Sequence, residues 1–145
     1  FLARNPGHRR QIVENPDVIP AAVEEMLRWE TPVTQVPRMA TRDTEVAGCP
    51  VSAGTFVSVL IGAANVDPAE LPDADQVRFD RDVNRHLAFG GGVHRCLGSH
   101  LARRELRVAL AEWHRRIPDY EIAPGLDLHF PAGLRSVENL QLVWS

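Results

Sequence analysis

FGGGVHRCLG, residues 89–98, sets a single cysteine, Cys96, between three consecutive glycines and an arginine-rich segment, SHLARRELRVAL, at 99–110. Glycines 90–92 carry no Cβ, so they permit positive φ and let the backbone approach a flat partner closely. After Cys96, apolar residues recur at helical spacing (Ala102, Leu106, Ala109, Leu110, Trp113, Ile117) and the pattern stops at Pro118. Cys96 thus stands just before a helix whose first turn is expected near Leu97. The N–H groups at that helix start, its positive end and the flanking Arg95 are expected to favour thiolate over thiol.

Two chemistries suit such a sulfur. A nucleophile needs a base nearby, for which His94 or His100 is available. A haem ligand needs a rigidly held sulfur, amide donors aimed at it, a face cleared by glycine, and cations for the propionates. Each of these is supplied by the loop. A plainer reading also exists, because a lone cysteine is more often a small buried hydrophobe and a glycine run more often a turn.

The rest of the composition narrows the class. The chain has 145 residues, 44% hydrophobic and 24% charged, as expected of one soluble globular unit. Its two cysteines, Cys49 and Cys96, are far apart and lack zinc-ligand spacing, which excludes a disulfide framework and implies a reducing compartment, the cytoplasm. The longest apolar run, FVSVLIGAANV at 56–66, is too short to span a bilayer, so no membrane segment is expected. No secretory signal opens the chain. It starts FLARNPGHRR without Met, inside what reads as a helix, and so is expected to be a fragment. All sixteen cations are arginine, and six lie within 94–116 against two glutamates there. No aromatic interleaving, zinc finger or helix-turn-helix pattern accompanies them, so no nucleic-acid partner is expected.

Along the chain, residues 1–15 read as a helix end, NPDVIP as a break and restart, and Ala22, Val23, Met26 and Leu27 as the buried stripe of a second helix ending before Thr31-Pro32. Residues 31–62 predict a small antiparallel sheet with strands near 34–40, 44–47 and 55–60. Residues 63–88 predict one short helix and a long irregular loop, 97–117 a helix, and 118–145 a terminal hairpin. The fold class is mainly α with a small β region.

Phe89-Gly90-Gly91-Gly92-Val93-His94-Arg95-Cys96-Leu97-Gly98 resembles the haem-binding signature F-G-x-G-x-H-x-C-x-G of the haem-thiolate monooxygenases, the cytochromes P-450, and in particular their soluble bacterial class. EEMLR at 24–28 resembles the family's E-x-x-R helix, and PVTQVPRMA at 32–40 its propionate-binding strand. The resemblance covers all 145 residues, from the end of the J helix to the terminal hairpin. It implies the C-terminal, proximal part of that fold, without the central I helix and the N-terminal part. VSAG at 51–54, NVD at 65–67 and Gln141 depart from common family usage at turn level, and no A-G-x-x-T stretch occurs.

The resemblance implies that Cys96 is the axial thiolate of haem b (iron protoporphyrin IX), with Phe89, Gly90, Gly92 and Gly98 around it. Arg38, His94 and His86 would serve the cofactor, and Glu25, Arg28 and Arg81 would form a structural ion-pair network. Val33, Thr34, Val36 and Leu134 would face a small hydrophobic substrate. Arg95, Arg103, Arg104 and Arg107 would dock a ferredoxin-type donor, which with its reductase brings electrons from NAD(P)H for O₂ activation. The alternatives are a haem-binding or haem-sensing module and an inactive remnant. A cysteine hydrolase or redox enzyme would leave Arg38, Arg81 and Glu25 without a role.

Overall fold

Prolines decide where the first helices start, because a fixed φ and a missing N–H suit only the first turn. In the computed structural model, which describes residues 1–131 and 134–144, α1 spans Pro6–Glu14 and α2 spans Ile19–Trp29, with Pro6 and Pro20 in their first turns. A 3₁₀ turn, Pro16–Val18, joins them, and the Asn15 side chain accepts from the Asp17 amide at 3.3 Å. The helix expected from residue 1 therefore begins later. Phe1–Arg4 form a turn closed by Arg4 N–H to Phe1 O at 3.0 Å, since the residue before a proline is disfavoured in helical geometry.

The core forms where α2 meets α1 and the irregular loop. Ile19, Ala22, Val23 and Leu27 pack with Ile12 of α1 and with Leu2, Phe79 and Tyr120. Each large aliphatic side chain buried this way contributes about 1.5–3 kcal/mol. Thr31 ends α2 by donating its hydroxyl to Arg28 O at 2.8 Å. The long helix α4, Ser99–Arg116, packs against both α1 and α2. Buried Arg9 secures that junction, pairing with Asp119 and donating to Tyr120 O at 2.6 Å.

The β region differs from the expected single sheet. β1 (Val36–Met39) pairs antiparallel with β4 (Phe56–Val59), with Arg38 opposite Val57, while β2 (Thr44–Val46) pairs separately with β3 (Cys49–Val51). The sequence reading missed β3 because Cys49-Pro50-Val51 looked like a turn. Proline is tolerated on an edge strand, where its missing N–H is not required. The two-residue turn Ala47-Gly48 has φ of +49° and +82°, the positive values that match hairpin twist. A single-turn helix, α3 (Ile61–Ala64), follows, and residues 65–91 contain neither helix nor strand. β5 (Glu121–Ile122) and β6 (Leu142–Val143) close the chain as an antiparallel pair. Ala132, Gly133 and Ser145, within the expected terminal hairpin, lie outside the described residues.

The apolar stripe expected along α4 is only partly covered. Ala102, Leu110, Trp113 and Ile117 are half-buried, whereas Leu106 and Ala109 are exposed. Leu110, Trp113 and Ile117 pack on the core, whereas Arg103 meets Glu24 of α2, because a partly buried carboxylate demands a cation.

Candidate cofactor site

The loop that presents Cys96 is shaped by its own backbone. The Cys96 amide donates to Phe89 O at 2.8 Å, and the Gly90 amide to Leu87 O at 2.8 Å. His94 and Arg95 amides reach back to Gly91 and Gly92 carbonyls, each at 3.2 Å, giving a 3₁₀ turn at Gly92–His94. Gly90 (φ +66°) and Gly92 (φ +56°) occupy the left-handed region, where an L side chain is strained. At Gly90 a Cβ would also come within 3.0 Å of His94 O.

Cys96 is exposed, which excludes the inert buried thiol. Helix α4 starts at Ser99, two residues later than expected, and Gly98 is its N-cap. Among the described residues the Leu97 and Gly98 amides have no acceptor, which leaves both donors available beside the sulfur. Gly98 has φ −78°, and a Cβ there would make only an ordinary contact, 3.9 Å, with Cys96 Sγ. Neither backbone strain nor crowding within the chain requires glycine at 98. Val93 and Leu97 are 97% and 99% exposed, so an apolar surface surrounds the thiol. Among the described residues no cluster of three or more His, Cys, Asp or Glu gathers to hold a bare ion. One sulfur on an apolar, glycine-cleared face therefore suits a metal that brings its remaining ligands with it, and these residues fit haem.

Behind the loop lies a buried charge network. Glu25 and Arg28 are both 0% exposed and share two hydrogen bonds of 2.8 Å. Arg81 joins through Nε to Glu25 Oε1 at 3.0 Å. Asn84 Nδ2 (2.9 Å) and the Arg78 amide (2.8 Å) complete the carboxylate's shell. The two guanidiniums hold the irregular loop by its carbonyls, Arg28 those of Asn65, Ala74 and Gln76, and Arg81 those of Pro72, Asp73 and Gln76. Burial alone would push the Glu25 carboxyl up, but its bonds to Arg28, the Arg78 amide and Arg81 outweigh this and hold it below the ordinary carboxylate value.

Two expected site residues have partners within the chain. One is His86. Its side chain is buried, and Nε2 lies 3.0 Å from Glu24 Oε2. The other is Arg103. It chelates Glu24 through Nε (2.7 Å) and Nη2 (2.9 Å), and its guanidinium lies 4.5 Å from the Phe89 ring centroid. Arg107 stands 3.6 Å from the same carboxylate, while Arg95 and Arg104 are exposed without an ion pair among the described residues. Burial pushes Glu24 up, and bonds from Arg103 and His86 more than offset it. For His86, burial pushes the ring below its ordinary value and Glu24 restores only part of this.

The other expected residues are dispersed. Arg38 and His94 are exposed, and Arg38 donates to its own neighbour's carbonyl, Pro37 O, at 2.8 Å. Val33, Thr34 and Val36 are half-buried, and Leu134 is exposed. The Arg135 amide donates to Pro32 O at 2.9 Å, which brings the Leu134 segment beside residues 32–34. Glu24, Asn65 and Asn84 were missed by sequence reasoning. Only the Glu24-Glu25 doublet beside a cation-rich helix could have signalled the first.

The sequence profile of the family described as Cytochrome P-450 matches residues 9–116. The chain belongs to the cytochrome P-450 family. Over 150 residues it is 44% identical to mycinamicin IV hydroxylase/epoxidase of Micromonospora griseorubida, covering 99% of this chain and 38% of the relative. Steroid C26-monooxygenase of Mycolicibacterium smegmatis is 43% identical over 119 residues, 80% of this chain and 30% of the relative. The crystal structure of HmtN, a post-tailoring hydroxylase in himastatin biosynthesis, superposes with a TM-score of 0.93 at 36% identity, covering 99% of this chain and 40% of that one. The chain thus spans about two-fifths or less of the length of these cytochromes P-450 and forms part of their mainly α fold. Among the described residues no helix is long and apolar enough to cross a membrane.

Proposed function

We propose that this chain is the haem-ligating part of a monooxygenase that inserts one oxygen atom of O₂ into a hydrophobic organic substrate. The observation that carries this reading is the exposed Cys96 on a loop whose amides and glycines leave one face of the sulfur clear. Cys96 would ligate the iron, with Phe89, Gly90, Gly92 and Gly98 shaping the loop around it. The bound haem would supply the oxygen chemistry, with the thiolate's electron donation favouring O–O cleavage.

The chain's own residues perform the supporting work. Phe89 O fixes the Cys96 amide, and the amides of Leu97 and Gly98 are free to donate to the thiolate, lowering its basicity. His94 and Arg38, both exposed cations or potential cations, would pair with the propionates. Glu25, Arg28 and Arg81 hold the irregular loop beneath the site and take no part in the chemistry. Val33, Thr34, Val36 and Leu134 would line the substrate side. A ferredoxin-type donor, fed by its reductase from NAD(P)H in the cytoplasm, would meet Arg95 and Arg104, the two arginines of the cluster that carry no carboxylate partner among the described residues.

The test is the reduced CO difference spectrum of the full-length protein that carries this sequence. The red-shifted Soret band of a thiolate ligand is expected in the wild type and its loss in Cys96→Ser. Retention of that band in Cys96→Ser would overturn the ligand assignment.

A further inference from the structure

We propose that Glu24 is a positioning residue for Cys96, a carboxylate that staples both ends of the cysteine loop to α2. The inference rests on the haem-ligand reading of Cys96 for its spectroscopic arm alone. Its geometry stands by itself.

Within residues 86–98 the hydrogen bonds are almost all local, Gly90 to Leu87, Cys96 to Phe89, His94 to Gly91 and Arg95 to Gly92. Such bonds give the loop a shape, but they do not say where it sits relative to the body. Ties to the body are few. The Leu87 amide donates to Asn65 Oδ1 at 2.6 Å, and the remaining polar ties converge on Glu24. His86, at the start of the loop, meets Oε2 at 3.0 Å. Arg103, one turn into the helix that follows, grips both oxygens at 2.7 to 3.0 Å.

The guanidinium also lies over Phe89, 4.5 Å from its ring centroid, and the Phe89 carbonyl accepts the Cys96 amide. A continuous path therefore runs from Glu24 through Arg103 and Phe89 to Cys96. Its first step is a two-pronged charge-assisted contact, which fixes the plane of the guanidinium as well as its distance. The second is a cation–π contact, strengthened because the site is partly desolvated. Without the Glu24 charge, Arg103 would lose the partner that holds it over Phe89, and His86 would lose its hydrogen-bond partner.

The experiment uses the full-length, haem-loaded protein and compares wild type with Glu24→Gln and Arg103→Lys. Amide hydrogen exchange across residues 86–98 is expected to accelerate roughly tenfold in Glu24→Gln, the effect of losing a charge-assisted hydrogen bond, while exchange in the α2 core, residues 19–29, stays as in wild type. Arg103→Lys, which keeps the charge but loses the fork and the flat stacking surface, should fall between. Conversion of the reduced CO complex from the thiolate to the thiol form should quicken in the same order, a signature that a merely structural role would not produce. Glu112→Gln, which also removes a doubly paired glutamate of α4 but far from the loop, should change neither readout. Unchanged exchange at 86–98 in Glu24→Gln would overturn the proposal, and so would acceleration spread evenly over the whole chain. A wild type lacking the thiolate band, with the local exchange effect intact, would sink the ligand reading and leave the staple standing.

Discussion

Replacing Glu25 by glutamine would remove one negative charge from a site with no solvent and put an N–H₂ where an acceptor now stands. In the native arrangement Oε1 accepts from Arg28 Nη2, Arg81 Nε and the Arg78 amide, and Oε2 accepts from Arg28 Nε and Asn84 Nδ2. The variant keeps one oxygen. If it takes the Oε1 position, the new amino group faces two donors, Arg28 Nε and Asn84 Nδ2. Asn84 Oδ1 is buried without a partner among the described residues, so that amide can turn over and accept, and the bond to Arg28 Nε is the one lost. Breaking the buried charge pair at about 3–5 kcal/mol places the destabilisation near 4 kcal/mol. That is a large part of the roughly 5–15 kcal/mol by which proteins are stable. Urea unfolding of the full-length variant, followed by far-UV circular dichroism, should show it, and hydrogen exchange should localise it to residues 65–84. A loss below about 1 kcal/mol would refute the reasoning, because it would mean that Arg28 and Arg81 are satisfied by the loop carbonyls without the carboxylate.

Gly90→Ala should cost about 1–2 kcal/mol through its positive φ alone, with the His94 O contact at 3.0 Å adding to it, read as a lower melting temperature. For His86, the folded value lies below the ordinary 6.5. Protons therefore favour the unfolded chain, and stability should fall as pH drops from 6.5 toward the folded value, a component that His86→Gln removes from melting curves recorded between about pH 7.5 and 5.5. Glu24 and Glu25 run the opposite way. Their folded values lie below 4.5, so their stabilisation is complete above that pH and is lost as acid titrates them, giving an acid transition that Glu25→Gln should abolish in part. Charge reversal at Arg95 and Arg104 should slow reduction by a ferredoxin-type donor at low salt and flatten its salt dependence, measured by stopped flow. Unchanged salt dependence would remove that surface as a docking site.

The cysteine loop was legible because its information is local. Three glycines, a cysteine and a helix start fall within ten residues, and their roles follow from φ, the absence of Cβ and the position of amide donors, all of which travel with the sequence. The E-x-x-R pair was legible for the same reason, since residues three apart on a helix share a face. Hairpin β2–β3 was not, because its second strand contains a proline and its pairing depends on the unusual positive φ of Ala47 rather than on an asparagine-glycine turn.

What sequence alone determined is therefore the order of the main helices, the local shape of the Cys96 loop and the family. Only the tertiary structure gave the adjacent Glu24 its part. Glu25 turns into the core toward Arg28 and Arg81, while Glu24, one residue earlier and so about a hundred degrees around the helix, faces α4 and gathers His86, Arg103 and Arg107. Arg81 comes from 56 residues away, and Arg103 from 79. No spacing rule spans that distance. Two partly or fully buried carboxylates must find cations wherever packing brings them, and packing is a property of the whole chain.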